Sequence, residues 1–158
     1  MAEAKFTTAK AVYDTVCEAL SEKGWRFKGD DENLQIKTGA VGEDLPMDIA
    51  IDVNADRQLL LVISPMSITV PEDKRVDIAI AISVINNQLV DGCFDYDIRT
   101  GHIFFRLTSS FIESKIGKEA AMYMLLCSCQ TIDEYNDKLL MLAKGLLSVE
   151  QFIASENE

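Results

Sequence analysis

Cys127 and Cys129 form a C-x-C pair, the thiol arrangement in this chain that most invites a metal. The apolar residues around them step at helical spacing, and on a helix residues two apart point about 200° away from each other, so the two sulfurs cannot close on one ion. A tetrahedral site also needs two more ligands, and the single histidine, His102, belongs to a hairpin pattern. Both cysteines read as buried thiols. A cysteine nucleophile would need His102 within hydrogen-bonding reach of Cys93. Pairing about Arg99-Thr100 places Cys93 several residues farther from the loop than His102, a poor register for contact.

The carboxylates offer a second chemistry. Asp48 and Asp52 share one face of a strand pattern, and Asp95 and Asp97 do the same. Paired carboxylates do acid–base work or hold a hard cation. No matched loop of the EF-hand kind accompanies them, so a solvated sheet face is expected. Asp30-Asp31-Glu32 reads as turn chemistry. No Gly-rich phosphate cradle, nucleophile elbow or H-E-x-x-H pair is present. Met122, Met124 and Met141 lie on or beside the terminal helix, where core packing outweighs a pliable binding surface. Arg106 leaves an apolar strand and is expected to pair with an acid on the sheet face. No catalytic residue, cofactor site or metal site is expected.

The chain that must position these groups has 158 residues, enough for one core and too few for two. A hydrophobic fraction of 48% against 26% charged residues is ordinary globular composition, so disorder is not the default. The net charge of −11 repels phosphate backbones and anionic headgroups, making nucleic acid and membrane surfaces poor partners. The opening MAEAKFTTAKAVYDTVCEAL has no apolar run of the secretory kind. A cytoplasmic location with four reduced thiols is the expectation.

Residues 7–22 read as an amphipathic helix, with Val12, Val16 and Leu20 on one face and Gly24 ending it. Trp25 to Lys28 and Leu34 to Ala40 are strand candidates around the Gly29–Asn33 turn. From Leu45 to Asn54, Leu45, Met47, Ile49, Ile51 and Val53 alternate with Asp48, Asp52 and Asn54, the pattern of a half-buried antiparallel strand. Gln58 to Ser64 is apolar at nearly every position and is expected in the middle of the sheet with both faces covered. Gly92 to Asp97 and His102 to Thr108 form a hairpin, with Gly101 placed for a positive φ. Lys118 to Lys144 is a long helix stopped by Gly145, and Ser148 with Gln151 caps a short last helix.

The stretch Thr69–Val90, TVPEDKRVDIAIAISVINNQLV, has capping-box spacing at Thr69 and Glu72 and acids in its first turn. Ile78, Ala81, Ile82, Ile85 and Leu89 form one apolar face; Val76, Ile80 and Val84 form a second stripe. A helix apolar on two sides needs two covers, one a sheet and the other a further helix or a second copy of the chain.

This element order, with Pro71 opening the helix, Asn86 near its end, then Gly92-Cys93-Phe94-Asp95, Gly101, Phe105-Arg106 and the closing Ser148-Val149-Glu150-Gln151-Phe152, resembles the YbjN family of bacterial proteins. That family shares the α+β fold of type III secretion chaperones. The resemblance spans about residues 8–153 of a single domain, 1–158. The resemblance implies a curved antiparallel sheet with helices packed on it; the elements read from the residues, a helix, a three- or four-stranded meander, a helix, a hairpin and helices, give an α+β class with about five strands in the order α-β-β-β-α-β-β-α. The resemblance also implies a bacterial source and a regulatory or chaperone-like role, with no catalytic residues to carry over. Secretion chaperones pair through a helix and strand after their first sheet segment, which makes Val76, Ile80 and Val84 a candidate self-association stripe. The expected function is therefore non-enzymatic protein binding, as a chaperone-like or regulatory adaptor with an unidentified protein partner, and as a homodimer through one of its helices. The rival is a small-molecule-binding protein or enzyme with a pocket between the sheet and the terminal helices.

Overall fold

A single antiparallel sheet of six strands, in the order β1-β2-β3-β4-β6-β5, carries every helix on one of its faces in the computed structural model, which describes residues 1–157. The elements run α1 (Ala2–Glu22), β1 (Phe27–Asp30), β2 (Gln35–Val41), β3 (Pro46–Asn54), β4 (Leu59–Thr69), α2 (Arg75–Gln88), β5 (Cys93–Asp97), β6 (His102–Ser110), α3 (Lys118–Ala143) and α4 (Val149–Glu156). A short 3₁₀ turn, Glu72–Lys74, leads into α2.

The α+β class and the antiparallel sheet agree with the sequence reading. The sheet has six strands rather than five, because four strands precede α2 instead of three. The strand left out of that count is β1, read as a candidate at Trp25 to Lys28; of its four residues only Phe27 is even half-buried, so no alternation marks its bounds. It lies at Phe27–Asp30, two residues later than expected, and Asp30 then closes the turn by accepting from the Glu32 and Asn33 amides. Helix α1 starts at Ala2, earlier than residue 7, since Ala, Glu and Lys favour helix even where nothing is buried.

The core lies between the sheet and α1, α3 and α2. Ile36, Ile51, Val62 and Leu107 form one cross-strand row pointing into it, and Ser64, Phe105 and Phe94 form another. Phe94 and Phe105 meet edge to face at 5.1 Å, and Tyr135 of α3 adds a second edge contact to Phe94 at 6.0 Å. Helix α3 buries Ala121, Leu125, Ile132 and Leu139 against the sheet. Gly145, at φ 71°, ends α3; α4 then starts with the expected reciprocal Ser148–Gln151 capping box and seats Phe152 in the core.

The capping box expected at Thr69–Glu72 does not form. Thr69 is the last residue of β4, paired with His102, and α2 has no side-chain cap. The ladder bond outcompetes the cap. In place of a cap, Arg75 reaches from the start of α2 to the β5–β6 loop, donating to the carbonyls of Arg99 (2.6 Å) and Thr100 (3.4 Å).

Candidate functional site

Only one face of the sheet is used by the core, so the residues pointing the other way define a second surface. In β4, Leu60, Val62 and Ser64 point inward and are buried, while Leu59, Leu61 and Ile63 point outward and are half-buried. β4 is central, as expected, yet its second face is not covered by any element of the described chain. The apolar run was a true signal of central placement; the cover it called for is not found among the described residues.

Register places the neighbours of this band. Ala50 of β3 and Arg106 of β6 flank Ile63, and Phe104 of β6 flanks Pro65. Asp52 lies beside Leu61, Asp48 lies one pleat beyond Ala50, and Lys37 of β2 lies beside Ala50. On the far side Cys93 pairs with Arg106 and Asp95 with Phe104. The outer face is thus an apolar centre of Leu59, Leu61, Ile63 and Phe104, bordered by charges on both sides.

Arg106 finds the acid expected for it. Its Nε donates to Asp95 Oδ2 at 2.6 Å and a terminal nitrogen donates to Oδ1 at 3.1 Å. These bonds hold the Asp95 carboxyl below its ordinary range against a smaller opposing effect of burial. Burial, then the Asp95 charge, push the neighbouring Cys93 thiol up, so it is a poor nucleophile. Lys37, Asp48 and Asp52 make no ion pair among the described residues; Asp52 accepts only from the Gln35 amide at 3.2 Å.

The other groups singled out by spacing are not brought together. His102 pairs with Asp97, while Cys93 pairs with Arg106 four residues along β6. Cys127 and Cys129 both lie on α3 and are half-buried, and burial raises the Cys129 thiol. Among the described residues no three His, Cys, Asp or Glu side chains are grouped to hold a metal. Met122 and Met124 are buried and Met141 is exposed. In the second stripe of α2, Val76 is 63% and Ile80 41% exposed, and Val84 is half-buried.

The sheet's edges are less open than its face. At β5, the Phe94 amide donates to Asn86 Oδ1 at 2.8 Å, and Asn86 Nδ2 donates back to the Phe94 carbonyl at 3.0 Å. Asn86 thereby occupies the backbone positions a further strand would use. A groove of about 940 Å³ lies between α1 and the loop from Phe111 to Gly117. Thr8 and Thr15 on its wall donate their hydroxyls to carbonyls of their own helix.

No family model and no curated protein matches the sequence. Among solved structures, the crystal structure of YbjN from E. coli, a proposed transcription regulator, superposes with a TM-score of 0.58, covering 81% of this chain and 93% of that one at 17% identity. The fold is YbjN-like. At that identity the match speaks for the fold alone.

Proposed function

We propose that this chain is a non-enzymatic protein-binding domain, a chaperone-like or regulatory adaptor of a bacterial cytoplasm. One observation carries the reading: the outward residues Leu59, Leu61, Ile63 and Phe104 form an apolar band on a sheet face that no helix covers. Half-buried apolar side chains at the centre of a sheet, rimmed by charge, are the composition of a docking surface rather than of a reaction centre. The YbjN-like architecture supports a regulatory role, and no helix among the described residues is long and apolar enough to cross a membrane.

A photo-crosslinking residue placed at Ile63 tests this in a lysate of the source organism. The expected result is one protein crosslinked reproducibly from Ile63 and not from exposed Val90 on the loop after α2. Equal, diffuse labelling from both positions would overturn the reading. A second surface is offered by the α2 stripe, where Val76 and Ile80 face outward. Homodimerisation through that stripe predicts that Val76→Asp with Ile80→Asp lowers the mass measured by light scattering, and an unchanged mass removes it.

A further inference from the structure

β3 and β4 stop pairing before either strand ends. They pair from Asn54–Leu59 to Ala50–Ile63, and beyond that point Pro46 to Ile49 pair only with β2. On the other side of β4 the register with β6 shifts between Pro65 and Thr69, so Met66 to Ile68 lie in a bulge. Carried on, the β3–β4 register would set Pro65 opposite Asp48 and Pro46 opposite Ser67. A proline donates no ladder hydrogen bond, and two of them at this point end the pairing. The strands part into a small cleft walled by Pro46, Met47, Pro65 and Met66, and α3 closes it from the core side with Ile132 and Asn136.

Asn136 is 1% exposed, and neither its Oδ1 nor its Nδ2 has a hydrogen-bond partner among the described residues. The other buried polar side chains of α3 are answered within their own helix. Ser128 Oγ donates to the Met124 carbonyl and Thr131 Oγ1 to the Cys127 carbonyl, each at 2.8 Å. The Ser64 and Tyr96 hydroxyls are also unpartnered, but they do not line this cleft. A primary amide carries two donors and an oxygen with two acceptor sites, and burying it unanswered is costly.

We propose that this cleft is a binding site for one ordered water, held by the Asn136 amide and by a main-chain carbonyl of the Met66 to Ile68 bulge. The space open to the centre of a water is about 10 Å³, about the least that admits one water and too little for an organic group. Apart from Asn136 and the exposed Ser67, the wall side chains are apolar, so the cleft has no charge to hold an ion. The water accepts from Nδ2, donates to Oδ1 and gives its second hydrogen to the carbonyl, the three bonds usual for a buried water. It stands in for the cross-strand bonds that the prolines remove, and it ties α3 to the end of β4, from which the chain runs into α2. The site lies on the core side of the sheet and is independent of what the outer face binds.

The experiment reads water directly at the Asn136 side chain by NMR. In the wild type the Nδ2 hydrogens are expected to show cross-peaks to water whose laboratory-frame and rotating-frame Overhauser effects have opposite signs, the mark of a bound water rather than of hydrogen exchange. Oxygen-17 relaxation dispersion is expected to count one long-lived water fewer in Asn136→Leu than in the wild type. In urea titration Asn136→Leu is expected to gain less than about tenfold in the folded-to-unfolded ratio, because amide and water leave together. An amide buried with no partner at all would instead make that variant roughly a hundredfold more stable. If Asn136→Leu fails to fold, as judged by circular dichroism, Asn136→Met carries the comparison, and the wild-type cross-peaks need no variant. Absent cross-peaks at Nδ2, equal water counts in wild type and variant, or the hundredfold gain overturns the proposal.

Discussion

Replacing Asn86 with alanine removes two hydrogen bonds to one residue on the edge of the sheet. In the native chain the Phe94 amide and carbonyl are both held by the Asn86 side chain, at 2.8 and 3.0 Å. Phe94 itself is 2% exposed and packs on Phe105 and Tyr135, so its backbone is not free to turn toward water without moving the ring. Each lost bond to a part-buried group costs about 1 kcal/mol net, giving about 2 kcal/mol for the pair. For a domain of this size that is a fall of roughly 4–8 °C in Tm. Asn86→Asp keeps the acceptor for the amide but turns a carboxylate on the carbonyl, and should cost at least as much. Urea denaturation supplies the free energy, and hydrogen exchange at the Phe94 amide supplies the location. Fast exchange at Phe94 with the β6 interior still protected is the expected result. Unchanged exchange at Phe94 in Asn86→Ala would refute the two-bond clamp, whatever the global stability did.

Three other perturbations follow from named geometry. Gly101→Ala should cost about 2 kcal/mol or more in urea titration, because its φ is 79° and a Cβ would sit 2.4 Å from the Val70 carbonyl oxygen; a neutral variant would show that the loop can move away. Asp95 is held below the ordinary carboxylate range mainly by its hydrogen bonds from Arg106, so its stabilisation is complete above the unfolded carboxylate pKa of about 3.9 and is lost as pH falls through the folded value. Both side chains are more than 40% exposed, which keeps the effect to about 1 kcal/mol or less; Arg106→Gln should therefore be slightly less stable at pH 7, with the gap closing in acid, and a constant gap would contradict the pairing. Ser148→Ala should cost about 1 kcal/mol by removing the capping box of α4, and Phe152 should become more exposed to quenching or oxidation; no change in either would mean the helix is held by packing alone.

Parts of this fold were legible from residues alone, for a physical reason. β3 alternates because one of its faces is buried and the other wet, and the period-2 pattern survives intact from Met47 to Val53. α3 and α4 were legible because a helical stripe, the Gly145 stop and the Ser148–Gln151 box all agree. β1 was misplaced because four residues with one half-buried side chain carry no period. Thr69 was misassigned because a cap and a ladder position suit the same residue, and only the pairing with His102 decides between them. The Asn86 clamp was beyond reach: its partner is eight residues away across a turn, and an Asn near a helix end has many other uses. The candidate surface was half legible. An apolar run at nearly every position from Gln58 to Ser64 announced two covered faces, but no pattern in one chain says what covers the second.

The outer sheet face is the proposed docking surface, and it must be covered when the partner is present. Hydroxyl-radical footprinting, read residue by residue on the purified protein alone and in a lysate of the source organism, measures this directly. Leu59, Leu61, Ile63 and Phe104 are expected to lose reactivity in the lysate, while the exposed Val90 and Leu146 stay equally reactive in both. Oxidation of the four sheet residues that is the same with and without lysate would contradict it.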